Sequence, residues 1–183
     1  MTFGYLRKKP TLALAPIIVF AYNRPQHTRR TLDALSANPL AAESDLFIYI
    51  DGPKAEANAG TRQAIAEVQK IADAENRFAA TTVIASEINQ GLAKAVTSGV
   101  TNTINRYGKA IILEDDLISS PTFLRFMNDA LDRYETAENV SCISGYVYPI
   151  SDPLPSTYFI KGADCWGWAT WKRAWDQLEP DGK

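Results

Sequence analysis

Residues 109–120, KAIILEDDLISS, restrict the fold more than any other part of the chain. Ala110, Ile111, Ile112 and Leu113 are short, partly β-branched and apolar without alternation, the pattern of a strand covered on both faces. Glu114, Asp115 and Asp116 arrive where that strand should end. In a parallel α/β sheet the carboxyl ends of the strands open onto the ligand crevice, so adjacent carboxylates there face a site and each other. Two explanations stand open. One is a solvated acidic loop. The other is a metal and diphosphate site, in which a divalent cation offsets the repulsion and completes its coordination with water and phosphate oxygens.

Two further runs share this character. Ile17, Ile18, Val19 and Phe20 end at Tyr22-Asn23-Arg24-Pro25, and Leu46 to Ile50 end at Asp51-Gly52-Pro53. Helical spacing of Leu32 and Leu35 predicts a helix over residues 28–37, stopped by Asn38-Pro39. Ala64, Ile65, Val68, Ile71 and Ala72 mark one face of a longer helix over about 56–76, and residues 82–85 read as a short strand. The loop Asn89-Gln90-Gly91-Leu92 leads into a helix ending near Tyr107, with Gly108 as its C-terminal cap. After the acidic strand, Ser119-Ser120-Pro121 reads as a cap for a helix over 123–135 that buries Phe123, Phe126, Met127, Ala130 and Leu131. Residues 140–145 form a further strand, and 166–178 resume a helix-like spacing of tryptophans. Strand and helix alternate, which predicts an α/β fold: a mainly parallel sheet with helices on both faces, spanning residues 16–183 behind a lead-in over 1–15.

A chain of 183 residues, 46% hydrophobic and 22% charged, fits one folded domain. Its formal net charge of -2, without a basic stripe, speaks against nucleic-acid binding through phosphate contacts. Cys142 and Cys165 lack the spacing of a zinc or redox pair and read as buried free thiols. The basic start followed by an apolar run could suggest a signal peptide, but Pro16 breaks the run and it continues into a core strand, so the expectation is a cytoplasmic protein with peripheral membrane attachment left open. Arg7, Lys8 and Lys9 read as a solvated end, and His27, at the mouth of the first helix, as an exposed or capping residue. Trp168, Trp171 and Trp175 have helical packing spacing, while Trp166 and Trp168, set among glycines and an acid, are candidates for stacking on sugars.

If the three polar-ended strands are neighbours, their loops converge. Arg24 could then meet a diphosphate, Tyr22 could pack on a base, and Asp51 could either accept from a ring nitrogen or serve as a turn residue. Neither a Walker-type phosphate loop nor GxGxxG is present, so phosphate handling falls to a metal.

The succession PIIVFAYNRP, IYIDGP, NQGLAKA, AIILEDDLISSPTFLRF, VSCISGY and GADCWGWATWKRAWDQLEP resembles the nucleotide-sugar-binding part of a GT-A glycosyltransferase. Within that fold it is most similar to N-acetylglucosaminyltransferase I and its bacterial relatives, grouped with glycosyltransferase family 2, from about residue 16 to 180. The resemblance implies a UDP-sugar donor, a saccharide or glycan acceptor, and Mn2+ or Mg2+ held by Asp116, the last acid of a DXD-like triplet. It implies that Glu114 and Asp115 hold ribose and donor sugar or orient metal-bound water, and that Asp51 reads uracil. Phe20 and Arg24 would lie beside the nucleotide, the loop from Gly91 to Lys94 would flank the base, and 164–171 would wall the acceptor side. The family's histidine near Gly91 is absent here. In the relatives the acid that deprotonates the acceptor lies beyond the LEP segment, and the sequence stops at Lys183 with Asp164 as the nearest substitute, so the expectation is the donor-binding portion of a longer enzyme. The alternatives are a nucleotide-sugar-binding module without catalysis and a sugar nucleotidyltransferase.

Overall fold

The computed structural model describes residues 13–149, 151 and 153–179; the predicted lead-in falls almost wholly outside them. β1 (Ile17–Ala21), β2 (Asp45–Ile50), β3 (Ala80–Ala85), β4 (Lys109–Glu114), β5 (Cys142–Ser144) and β6 (Trp168–Trp171) form one sheet in the order β3-β2-β1-β4-β6-β5. β1 pairs in parallel with β2 on one side and β4 on the other, and β3 adds in parallel to β2. Val19 therefore lies opposite both Ile48 and Leu113. β6 runs antiparallel between β4 and β5.

Burial on both faces follows from the alternation of side chains along β1 and β4. Ile17, Val19, Ile111 and Leu113 face α1 (Pro25–Ser36), α2 (Ala59–Asp73) and α4 (Phe123–Arg133), in a core with Leu32, Leu35, Val68, Leu124 and Met127. Ile18, Phe20, Ala110 and Ile112 face α3 (Leu92–Tyr107), where Val100 and Ile104 close the second core. Each Val, Leu, Ile, Phe or Met side chain among them contributes about 1.5–3 kcal/mol by leaving water. The predicted α/β class, parallel core and two helical layers are all present.

Several predicted elements shift. α1 begins at Pro25, whose fixed φ and missing N–H suit the first helical position, so the Arg24-Pro25 turn is also the helix start. Pro121 lies outside α4, and the Ser119-Ser120 pair does not cap it: Thr122 holds the cap position without a side-chain bond. The buried Asn38 caps α4 from across the sequence, its Oδ1 accepting the Leu124 N–H (3.1 Å) and its Nδ2 donating to Ala34 O (3.0 Å). Phe126 is 39% exposed, and the buried face of α4 uses Leu124 and Asn128 in its place. The tryptophan spacing after Gly167 is not one helix. Residues 168–171 are β6, and only the four-residue α5 (Lys172–Trp175) follows. Trp168 and Trp171 thus fall to opposite faces, Trp171 into the first core and Trp168 onto the second beside Trp175.

Candidate functional site

The chain adds β2 and β3 on one side of β1 and then crosses to place β4 on the other. The carboxyl ends of β1 and β4 therefore flank a topological switch point, where the two crossovers leave in opposite directions and a crevice opens. A cleft of about 490 Å³ occupies it, lined among others by Phe20, Tyr22, Arg24, Asp51, Glu114 and Asp115. The three polar strand ends singled out in the sequence meet there because β1 is hydrogen-bonded to both β2 and β4.

The acidic triplet divides by burial. Glu114, the last residue of β4, is half-buried; Asp115 is 1% exposed; the Asp116 side chain is 38% exposed. Asp115 turns inward, where Tyr22 N–H (3.4 Å) and the Thr28 hydroxyl (3.2 Å) reach Oδ2 and Arg24 Nη2 reaches Oδ1. Arg24 Nη1 donates to Asp116 Oδ2 at 2.9 Å. One guanidinium thus bridges two successive carboxylates and ties the end of β4 to the β1–α1 turn. Burial works against the Arg24 charge, but Asp115 and then Asp116 outweigh it and hold its pKa above the ordinary value. At Glu114, burial first and the Asp116 charge second push the carboxyl above its ordinary value.

Among the described residues no group of three or more His, Cys, Asp or Glu could hold a metal ion. Mg2+ needs no all-protein cage: one or two carboxylates with ligand phosphates and water suffice. Asp116 is the exposed carboxylate of the triplet, and its pair with Arg24 is of the exposed kind worth about 0–1 kcal/mol.

At the β2 end, Asp51 is an anchor for the β3–α3 loop. Oδ1 accepts from Gly52 N (2.9 Å) and Gln90 N (2.8 Å), and Oδ2 from Asn89 Nδ2 (2.8 Å) and Gly91 N (3.0 Å). Two glycines make the approach possible. A Cβ on Gly52 would fall 2.5 Å from the Ile88 carbonyl carbon, and Gly91 sits at φ 81°, where other residues are strained. The floor is Phe20, stacked on Tyr49 at 5.3 Å and packed against Gly99 of α3.

The remaining predicted residues lie apart. Lys94 is exposed on the first turn of α3, outside the residues that line the cleft. Trp166, 42% exposed, clusters with Tyr146 (4.7 Å) and Tyr148 (5.5 Å). Trp168 does not join it, being packed on Trp175 at 5.9 Å. Asp164 Oδ1 accepts the Trp166 N–H at 2.8 Å, which commits it to its own turn. His27 is exposed, as expected, whereas Cys165 is exposed and Cys142 only half-buried, against the expected burial of both thiols. Lys54, Tyr49 and Asn89 also line the cleft. In the sequence only Lys54 carries a signal for this place, three residues beyond Asp51 on a strand-end turn; Tyr49 within β2 and Asn89 in the loop after β3 carry none.

No protein-family model and no curated protein matches the chain. Among solved structures it is similar to the mannosyltransferase PcManGT from Pyrobaculum calidifontis in complex with GDP-Man and Mn2+, at 17% identity and TM-score 0.48 over 75% of this chain and 39% of that one. It is similar to S. aureus TarS at 14% identity and TM-score 0.46, over 74% of this chain and 39% of that one. A third, glucosyl-3-phosphoglycerate synthase from Mycobacterium tuberculosis in complex with Mn2+, UDP and glucosyl-3-phosphoglycerate, gives 16% identity and TM-score 0.40 over 70% and 42%. The chain spans about two-fifths of the length of these structures. At these identities the likeness concerns the course of the backbone alone.

Proposed function

We propose that this chain is the donor-binding part of a metal-dependent GT-A glycosyltransferase that takes its sugar from a nucleotide donor, a UDP-sugar in the first instance. The observation that carries the reading is the convergence of Arg24, Asp51, Glu114 and Asp115 on one cleft at the switch point of a parallel sheet, with Asp116 tied to it through Arg24. Strands in a sheet lie about 4.8 Å apart, so the ends of β2 and β4 stand roughly 10 Å from each other. A ligand that engages both is elongated, with chemically different ends. A nucleoside diphosphate has that form.

Within it, Tyr22 packs on the nucleoside and Arg24, with its planar fork, faces the diphosphate. Asp116 would supply the hard oxygen ligand for the metal and Glu114 would meet the ribose and donor sugar or orient metal-bound water, while the buried Asp115 holds Arg24 and the β1–α1 turn in place. When bound, Mn2+ or Mg2+ supplies positive charge that stabilises the departing diphosphate. The acceptor is a saccharide or glycan hydroxyl that approaches past the Trp166 cluster. Its deprotonation requires a general base, for which Asp164 is the candidate within this chain. A binding module without transfer is the second reading. It is favoured by the hydrogen bond that already occupies Asp164 and by the lack, among the residues lining the cleft, of any acid beyond Asp51, Glu114 and Asp115. Slow hydrolysis of UDP-sugar separates the enzyme from the module.

Calorimetric titration of UDP with and without Mn2+ tests the site. The metal is expected to tighten binding at least about tenfold, and Asp116→Ala to abolish that gain. Equal binding in the two buffers, or an unaltered Asp116→Ala protein, overturns the assignment.

A further inference from the structure

Asp51 has no acceptor capacity left. A carboxylate offers about four lone-pair sites, and four protein donors fill them: three backbone N–H groups and the Asn89 amide. A nucleobase that presents a ring N–H to this end of the cleft needs an acceptor elsewhere. Asn89 supplies one. Its Nδ2 donates to Asp51 Oδ2 (2.8 Å) and to Gly52 O (3.0 Å), and its backbone N–H to Pro53 O (3.3 Å), which sets the residue against the β2 turn. Both partners of the amide group are pure acceptors, so chemistry alone fixes its orientation: the NH2 must face them and Oδ1 must face away. Among the described residues Oδ1 accepts no hydrogen bond, and it is not a sealed-in atom. Asn89 lines the cleft, and so does Lys54, one residue beyond Pro53, whose ammonium is a donor with no ion pair among the described residues.

We infer that Asn89 Oδ1 is the acceptor that selects the base of the nucleotide, with the Lys54 ammonium as the donor beside it and Asp51 as the residue that locks the amide in place. The inference rests on the nucleotide-binding reading above and names the group that sets its specificity. An acceptor next to a donor complements a ring N–H next to a carbonyl. Uracil and guanine both carry that pair. Cytosine and adenine place a ring lone pair at the same position, which opposes Oδ1. A site built to receive an N–H discriminates strongly against an analogue without it, because its own polar group is then left unpaired.

The test uses the wild-type protein and four unmodified nucleotides, with 3-methyl-UDP as the analogue in which the ring N–H is replaced by a methyl group. UDP and GDP are expected to bind at least about tenfold more tightly than CDP, ADP and 3-methyl-UDP. Asn89→Ala, checked for folding by its thermal transition, is expected to bring the ratio of UDP to 3-methyl-UDP affinity close to one. Equal affinity of the wild type for UDP and 3-methyl-UDP overturns the inference while leaving nucleotide binding intact. Survival of the ratio in a folded Asn89→Ala protein likewise overturns it and returns the role to Asp51. Absence of binding by all five nucleotides is a different result, since it removes the functional reading and this inference with it.

Discussion

Single residues in this fold are committed to neighbours far away in sequence. Asn38 follows α1 yet satisfies the first turn of α4, with its amide buried between Ala34 O and Leu124 N. Asn38→Ala leaves both groups without a partner in a place closed to water, and is expected to cost about 1–3 kcal/mol in urea unfolding, with an unchanged m-value. Arg24 and Asp51 were legible in the sequence because strand-end residues of a parallel sheet face the crevice whatever the rest of the chain does. Asn38 and Asn89 were not legible as polar anchors. Their partners lie 86 and 38 residues away, and no local pattern encodes such a meeting.

Among the elements, β1, β2 and β4 were the clearest in the sequence, since four unbroken apolar residues leave few other fates. β6 was not legible as a strand. Trp168, Trp171 and Trp175 repeat at the period of a helix only because a four-residue strand passes directly into a one-turn helix. Nothing in that spacing distinguishes the two until β4 offers an edge to pair with. The junction of α1 with the corner after α2 is electrostatic. Arg77 donates to Asp33 on α1 (2.8 Å) and through Nε (2.9 Å) to Glu75, whose side chain is almost wholly enclosed. Burial alone would raise the Glu75 carboxyl, but the Arg77 side-chain and backbone donors prevail and hold it below its ordinary value. The folded state then binds the proton more weakly than the unfolded chain, so the contribution is complete above the usual glutamate range near about 4.3 and is lost as pH falls through the lower folded value. The thermal midpoint should decline on acidification through this window, and Glu75→Gln should flatten that part of the profile while lowering the plateau at neutral pH.

At the scale of the whole molecule, site and fold share one cause. The switch of the chain from one side of β1 to the other creates both the central strand and the opening above it, so a ligand there touches three strand ends and the start of α3 at once. Such a ligand binds only the folded chain. At a hundred times its dissociation constant it should add about 2.7 kcal/mol of stability, or roughly 5–10 °C in Tm for a protein of this size. Differential scanning fluorimetry with UDP and Mn2+ checks this, and a flat response at saturating nucleotide counts against the cleft as a binding site.

The antiparallel seat of β6 also sets a timetable for the ribosome. β4 leaves the exit tunnel with one flank already destined for β1, but its other flank must wait for some fifty more residues to be made before residues 168–171 arrive to cover it. During that interval Ile111 and Ile112 sit beside a bare backbone margin, the feature through which nascent chains stick to one another. Shielding by the translation machinery or by chaperones is therefore most needed between the birth of the acidic strand and the birth of the last tryptophans.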